Sequence, residues 1–475
     1  RLATNKVVTM SHADDLERLK FVEAELLKRW PETRLEPTLE RISYLTDALG
    51  SPQLSYPTIH ITGTNGKTTT SRMIDAILYQ LGYRTGRFTS PHLESITERI
   101  SINGEPISAE AMVATYNDIA LYLEMVDERM SHPLSFFEVI TGMAFVAFAE
   151  YPVDVGVIEV GMGGEWDATN VVNAAVNVIT PIGFDHMEYL GSTLDAIART
   201  KSGIIKSNSI TVLSAQEVEV AKILIERCIA MESAPIREGI EFSLAKREIA
   251  LGGQVVSIDG VNGRYEDLFL PLHGEHQGHN AALAVAAVEA FTGESAIDSE
   301  ALSEAFALMR SPGRLEVMLR EPTVIIDAAH NPHGMNSLVR TLEHEFDFTK
   351  RVALFAPMGD KDVEGMLELL EPHFDAIIVT KNSSPRSTEI IRLEELAVAR
   401  FGRSRTQSAP DLARGIADAI AWAKAEGNES PERGKMRAAV VITGSVVTVG
   451  EARGILKSMA RDGARWHEMR AEGAE

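Results

Sequence analysis

Ten residues, ITGTNGKTTT (61–70), carry the residue types and spacing that grip a chain of phosphates. Gly63 and Gly66 allow backbone conformations and close approaches that a β-carbon blocks. Successive amides then turn inward, and a helix starting at the same point adds its positive end. Lys67 reaches the β- and γ-phosphates from there, and the Thr68 hydroxyl faces a magnesium ion. Ile61 occupies the place of the earlier glycine in the longer, commoner phosphate loop, so the chain has the shorter G-T-N-G-K-T form. A bare strand-turn-helix connection is the alternative. The β-branched run TIHIT before the loop and the amphipathic stretch after it supply the context the motif demands.

A phosphate loop does not name a reaction, so the other chemical groups matter. Glu159 closes the apolar run VDVGVIEVG, and a carboxylate at the end of a parallel strand lies where such sheets bind ligands; there it can hold magnesium. Asp185 and His186 follow the next apolar run, AVNVIT, at a neighbouring strand end. Lys201, in ARTKSG, reads by itself as a solvated helix residue. GMGGEW is no dinucleotide fingerprint, because Trp166 stands at its last glycine. His273, His276 and His279 are spaced for metal ligation on a helix, but Gly274 and Gly278 favour a turn leading into a helix at Asn280. In the second half Asp327 and His330 follow a strand in IIDAAHNPHG, and Ser445 holds the same position in ITGSVVTVG. Arg314, in SPGR, adds positive charge at a Pro-Gly break.

These groups need a scaffold, and the pattern predicts one. Residues 14–49 read as two helices broken at Pro31; TIHIT is a strand, and the helix after the loop stops at Gly82. Helices from Ala109 and Phe136, with the two apolar runs at 153–161 and 175–180, give alternating α/β units and a mainly parallel sheet. Residues 238–272 alternate with glycine turns and predict appended antiparallel hairpins. Helices over 280–292 and 299–308 lead to the break at 311–314. After it TVIIDAA, RVALFAPM, DAIIVT and AAVVITGS alternate with helices, as in a smaller Rossmann-like domain. The fold class is therefore α/β: a phosphate-loop ATPase domain over residues 1–310 with an antiparallel addition, then a second domain over 311–475. The segment 426–435 reads as a mobile loop and the tail after Ala460 as a fraying or solvated helix.

Composition narrows the partners. The 475 residues are 45% hydrophobic and 24% charged, with 46 basic against 68 acidic side chains and a formal charge of −22. That field repels nucleic-acid phosphates and anionic membranes, and no apolar run approaches the roughly 18 residues of a membrane span. Cys228 is the single cysteine and lies in an apolar run, as a buried thiol does. No export signal is legible at the start, so the expectation is a cytoplasmic protein, monomeric by default.

Nine motifs occur in one order: TGTNGKTTT, TSPHLESITERISING, SFFE, EVGMGGEWDATNVV, GEHQGHN, SPGRLE, DAAHNPHG, MGDKD and TGSVVT. Together they resemble folylpolyglutamate synthase, including the bacterial enzymes that are also dihydrofolate synthases, over residues 12 to 455. That family belongs to the Mur-type ligases, which activate a carboxylate with ATP and join it to an amino acid's amine. The resemblance implies that Gly63, Thr64, Asn65, Gly66, Lys67 and Thr68 hold ATP, with Asn280, Arg314 and Asp327. It implies magnesium on Thr68, Ser90, Glu159, His186 and a carbamate of Lys201. Phe137, Asp167 and Ala168 match the pterin pocket, while His330 and Ser445 match the glutamate site; Lys67, Lys201, Asp327 and His330 are the implied catalytic set. Two departures stand out: Glu165 replaces the arginine of GGRxDATN, and ARTKSG replaces EKAG.

The implied substrates are ATP, L-glutamate and dihydropteroate or a reduced folate. Phosphorylating the acceptor carboxylate makes phosphate the leaving group, and no side-chain nucleophile is required. Two rivals remain at this stage. A cell-wall Mur-type ligase usually has a further domain before the loop, and 62 residues precede Gly63 here. A non-catalytic phosphate-loop protein that binds folate or nucleotide has no reason to keep Glu159, His186 and Lys201 together.

Overall fold

The computed structural model describes residues 12–31, 36–293, 295–425 and 438–472. Helices α1 (His12–Leu27) and α2 (Glu40–Ala48) come first, followed by β1 (Thr58–Thr62), α3 (Lys67–Gln80), β2 (Thr85–Phe88), β3 (Ile100–Ile102) and β4 (Glu105–Pro106). Next are α4 (Ala109–Arg129), α5 (Phe136–Glu150), β5 (Val155–Glu159), β6 (Val176–Ile179), α6 (Met187–Leu190), α7 (Leu194–Ser202), β7 (Ile210–Leu213), α8 (Val218–Ala230) and β8 (Ala234–Arg237). The eight strands form one sheet in the order β4-β3-β2-β5-β1-β6-β7-β8, parallel except for the β3 and β4 edge. Every residue of β1 and β5 is buried, as expected of central parallel strands covered on both faces. Ile59, Ile61, Met73, Ile77 and Val285 share one core, while Phe88, Val139, Phe145 and Ile158 share the core on the opposite face.

The antiparallel addition is β9 (Ser243–Ala250), β10 (Gly253–Asp259) and β11 (Arg264–Leu270), as the alternation predicts. Helix α9 (Glu275–Thr292) then starts five residues earlier than the sequence suggests. Gly278 does not break it: the helix lies so close to the added sheet that a β-carbon there would sit 2.9 Å from Leu244. After α10 (Ser299–Ala307) the chain enters β12 (Glu316–Arg320), β13 (Thr323–Ile326), α11 (Pro332–Glu345), β14 (Arg351–Phe355), α12 (Val363–Leu370), β15 (Ala376–Val379), α13 (Ile390–Phe401), β16 (Thr406–Ser408), α14 (Leu412–Ala425), β17 (Ala439–Thr443) and α15 (Val446–Glu472). Their sheet runs β12-β13-β17-β14-β15-β16 and is parallel beyond the β12–β13 hairpin. Among the described residues no strand before Ser311 pairs with one after it, and we propose the boundary at residues 310 and 311. Cys228 is buried in α8, and no described helix is long and apolar enough to cross a membrane. The predicted loop at 426–435 lies outside the described residues.

Candidate active site

The site is built where three strand ends meet. In the central sheet Ile61 is in register with Glu159, and Thr62 with Ile179, so the phosphate loop rises between the ends of β5 and β6. The loop's glycines are dictated by geometry. Gly63 and Gly66 have φ of +148° and +89°, and β-carbons there would lie 1.9 Å from Thr180 Oγ1 and 2.6 Å from Asn280 Oδ1. Gly66 caps α3, whose first turn is Lys67 and Thr68. Asn280 thus closes one wall of the loop from α9, held by its amide donating to Gln277 at 3.0 Å.

Inside that cradle, Lys67 Nζ donates to the carbonyls of Gly63 and Thr64 at 3.1 and 3.2 Å. Lys201 Nζ donates to the same Gly63 carbonyl at 2.7 Å. Lys201 is 4% exposed, because Ile197, Ala198, Lys201 and Ser202 form the buried face of α7. Burial first, and the neighbouring Lys67 charge second, lower its pKa to about 7. Burial likewise lowers Lys67, opposed by Glu159 and Asp185. Thr68 Oγ1 donates to Glu159 Oε1 at 2.8 Å, while Glu159 Oε2 is buried without a hydrogen-bond partner among the described residues. Burial raises the Glu159 pKa despite Lys67 nearby. An orphaned carboxylate oxygen beside a hydroxyl and a phosphate loop fits a divalent cation, the group that satisfies such an oxygen. Ser90 belongs to the same rim: it lies two residues beyond Phe88, whose register partner is Ile158.

The second domain completes the centre. Lys361 Nζ donates to Asp185 Oδ1 at 2.6 Å and lies 3.4 Å from His186 Nε2. His330 Nε2 is 3.4 Å from Asp185 Oδ2, and Asn331 donates to that oxygen at 3.1 Å. Burial opposes ionisation of Asp185, but the His330 contact and the Lys361 ammonium hold its pKa far below the usual range. His186 is lowered to about 3 by burial, so it presents a neutral imidazole, the form that ligates metal. Asn65 in the phosphate loop meets His333 at 2.7 Å and Asn331 at 3.3 Å. Thr69 meets Ser311 at 3.1 Å. Sequence reading assigned no role to Lys361, Asn331 or His333. Their signal was position, since MGDKD and HNPH follow strands whose ends face the phosphate loop.

The remaining candidates fall around this centre. Asp327 accepts from the amides of Leu315 and Ala329 at 2.8 and 2.9 Å and is raised by burial against the pull of Arg314. Ser445 is buried at the start of α15, where its Oγ accepts from the Thr448 amide at 3.0 Å and from Asn382 at 3.2 Å. On the other flank Phe137 and Phe88 have ring centroids 5.9 Å apart, and Gly161 leaves room for the Phe137 ring. Ala168 shares their apolar cluster, and Asp167 before it accepts from the Met162 and Thr169 amides at 2.9 and 3.0 Å. Glu165 points its side chain outward. His273 pairs with Glu345 and His279 with Glu238, so these two histidines are directed to different carboxylates. A cleft of about 1370 Å³ begins at Arg314 and Ser311 and runs outward along β12; the phosphate loop itself is not part of its wall.

Comparison with known proteins bears on the family and the fold. Residues 61–288 match the Mur ligase middle domain and residues 313–446 the Mur ligase glutamate ligase domain. The chain is 49% identical to the dihydrofolate synthase/folylpolyglutamate synthase of Mycobacterium tuberculosis, over 93% of this chain and 94% of that one. It is 35% identical to the enzyme of the same name from Bacillus subtilis, over 76% and 86% of the two chains. The fold superposes on M. tuberculosis folylpolyglutamate synthase complexed with ADP at a TM-score of 0.89, covering 93% of this chain and 99% of that one. It superposes on Escherichia coli FolC in complex with DHPP and ADP at 0.78, with 28% identity over 95% and 99%.

Proposed function

We infer the activity from a firm premise: the chain belongs to the dihydrofolate synthase/folylpolyglutamate synthase family of Mur ligases. It is an ATP-dependent ligase that joins L-glutamate to a folate-type carboxylate. The observation that carries this reading is the convergence of Lys67, Glu159, His186 and Lys201 with Lys361 and His330 from the second domain. A cell-wall ligase and a non-catalytic phosphate-loop binder are both disfavoured by the kinship.

The chemistry follows from where the groups sit. The phosphate loop and Lys67 hold the triphosphate, and Arg314 adds charge beside them. The acceptor carboxylate attacks the γ-phosphorus, ADP leaves, and an acyl phosphate forms. The glutamate amine then attacks the acyl carbon, loses a proton, and phosphate departs with the electron pair of the broken C–O bond. We assign Thr68, Ser90, Glu159, His186 and Lys201 to magnesium, on the strength of the orphaned Glu159 oxygen and the neutral His186. Bound there, it neutralises charge on the phosphate oxygens. Lys201 suits carbamate formation, because a pKa near 7 leaves much of its amine neutral; that amine adds to carbon dioxide and releases a proton. Phe137, Asp167 and Ala168 receive the pterin, and His330 and Ser445, with Lys361, orient glutamate. Closure of the second domain brings the amine into line. A single chain supplies every group, which suits a monomer, and we place the reaction in the cytoplasm.

The test is glutamate-dependent ADP release with ATP and magnesium, comparing dihydropteroate, tetrahydrofolate and no acceptor, with product masses read in parallel. One glutamate mass added per ADP is expected. No release with either acid, from folded protein that binds ATP, refutes the assignment.

A further inference from the structure

His60 is the central residue of β1 and has no exposed surface. Its neighbours Ile59 and Ile61 belong to the core shared with α3 and α9, so the alternation of a strand turns His60 to the opposite face. An imidazole placed there without a partner is destabilising, because it loses its hydrogen bonds to water and gains none in return. Its partner among the described residues is Thr169, whose Oγ1 lies 2.8 Å from Nε2. Thr169 Oγ1 in turn lies 2.5 Å from Asp167 Oδ1. His60 Nδ1 is buried without a hydrogen bond among the described residues.

The proton arrangement is determined by what each atom can do. Asp167 accepts amides from Met162 and Thr169 on its two oxygens, and these donors favour the ionised carboxylate against the burial that raises its pKa. Thr169 has one hydroxyl proton and gives it to Asp167. Thr169 Oγ1 must then accept, so His60 carries its proton on Nε2 and leaves the buried Nδ1 bare. Burial and the nearby Lys206 lower the His60 pKa to about 3, which keeps the ring neutral. The result is a buried relay from His60 through Thr169 to Asp167. It joins the strand that launches the phosphate loop to the turn that borders Phe137.

We propose that His60 is a positioning residue for recognition of the pterin-bearing acceptor, acting through Thr169 to fix the orientation of the Asp167 carboxylate. The proposal rests on the reading of Asp167 as a pterin contact. His60 touches no substrate in this scheme; its effect is transmitted by one hydroxyl, and the Asp167 oxygen that accepts this hydroxyl is held in one direction.

Steady-state kinetics on four variants test it, with dihydropteroate or tetrahydrofolate, ATP and glutamate varied in turn. Thr169→Val removes the hydroxyl with little change of shape, and His60→Leu removes the ring donor. Both are expected to raise the acceptor KM about ten-fold while the KM values for ATP and glutamate stay within about two-fold. His60→Gln, whose amide nitrogen reaches the place of Nε2, is expected to return the acceptor KM to within about three-fold of the parent. Asp167→Asn is the control for the underlying reading. If it leaves the acceptor KM unmoved, that reading falls and the proposal falls with it. If Asp167→Asn raises the acceptor KM but Thr169→Val does not, the relay alone is refuted. Equal rises in all three KM values, unrelieved by glutamine, also overturn the proposal, since they mark a general loss of structure. Should His60→Leu fail to fold, Thr169→Val and His60→Gln decide the matter.

Discussion

Replacing Lys201 with methionine should stabilise the metal-free protein while abolishing ligation. The folded pKa is about 7, against an ordinary value of 10.5. Between those two values the unfolded chain binds more protons than the folded one, so stability rises with pH through this window. The burden is complete below pH 7 and absent above 10.5. At pH 7 the shift corresponds to about 4 kcal/mol, and at pH 10 to about 1 kcal/mol. Methionine removes that burden and forfeits the hydrogen bond to the Gly63 carbonyl, a loss of about 1 kcal/mol. The expected net gain is therefore about 3 kcal/mol at pH 7 and close to zero at pH 10. Urea unfolding in chelator and carbonate-free buffer at the two pH values measures it. A variant no more stable than the parent at pH 7 refutes the reasoning, as does an equal gain at both pH values, which would mark apolar packing rather than charge. The kinetic counterpart is rescue: Lys201→Ala should regain activity with a small added carboxylate, and full activity without rescue would exclude the carbamate.

Other perturbations follow from single contacts. Lys67→Ala should reduce turnover at least 1,000-fold, on the order of a lost transition-state charge contact, and near-normal ligation would sink the loop assignment. Gly66→Ala must relieve both φ +89° and a 2.6 Å approach to Asn280; a rise in ATP KM of about ten-fold or more is expected from about 1–2 kcal/mol of strain plus displacement of Asn280. Lys361→Met deletes the cation that reaches Asp185 across the domains, so glutamate KM should rise about ten-fold with ATP affinity in a binding assay unchanged. Glu165 is exposed, so Glu165→Arg should leave stability within about 0.5 kcal/mol while lowering the KM of the anionic acceptor a few-fold.

Much of the centre was legible because strand ends are readable. Glu159 and His186 follow uninterrupted apolar runs, and the short phosphate loop sits between a β-branched strand and a helix. Lys201 was not legible from its own neighbours, since ARTKSG reads as solvated; the missing signal was its spacing of four from Ile197, which puts it on the buried face of α7. β2 escaped notice because TGRF is short and its Arg87 is charged. The structure hides that charge by pairing Arg87 with Asp75 at 2.8 Å inside the core. Lys361 sits between Asp360 and Asp362 and reads as part of a charged turn. Nothing local reveals that it crosses to Asp185, because the contact depends on how two separately folded sheets face each other. The early start of α9 was lost to Gly274, which precedes the helix at φ +101°, and Gly278, whose smallness serves packing against the added sheet.

The charge arrangement explains how so acidic a chain can gather anions. At −22 the whole surface repels ATP, glutamate and folate alike. Over more than about 8 Å at physiological salt that repulsion is screened, so binding is decided by the charges that surround the substrate directly. Lys67, Lys201 and Lys361 are all drawn to one crevice, with Arg314 beside it and the N-terminus of α3 at the phosphate loop. Crowded together and stripped of water, such cations raise one another's free energy, as the lowered pKa values of Lys67 and Lys201 record. Asp185 relieves part of this by holding Lys361, and Glu159 by facing Lys67. An incoming phosphate or carboxylate relieves more, since it meets donors that are already desolvated and fixed. The second domain contributes Lys361 to this cluster, where it is held on Asp185 of the first, so an anion bound there meets charge from both domains.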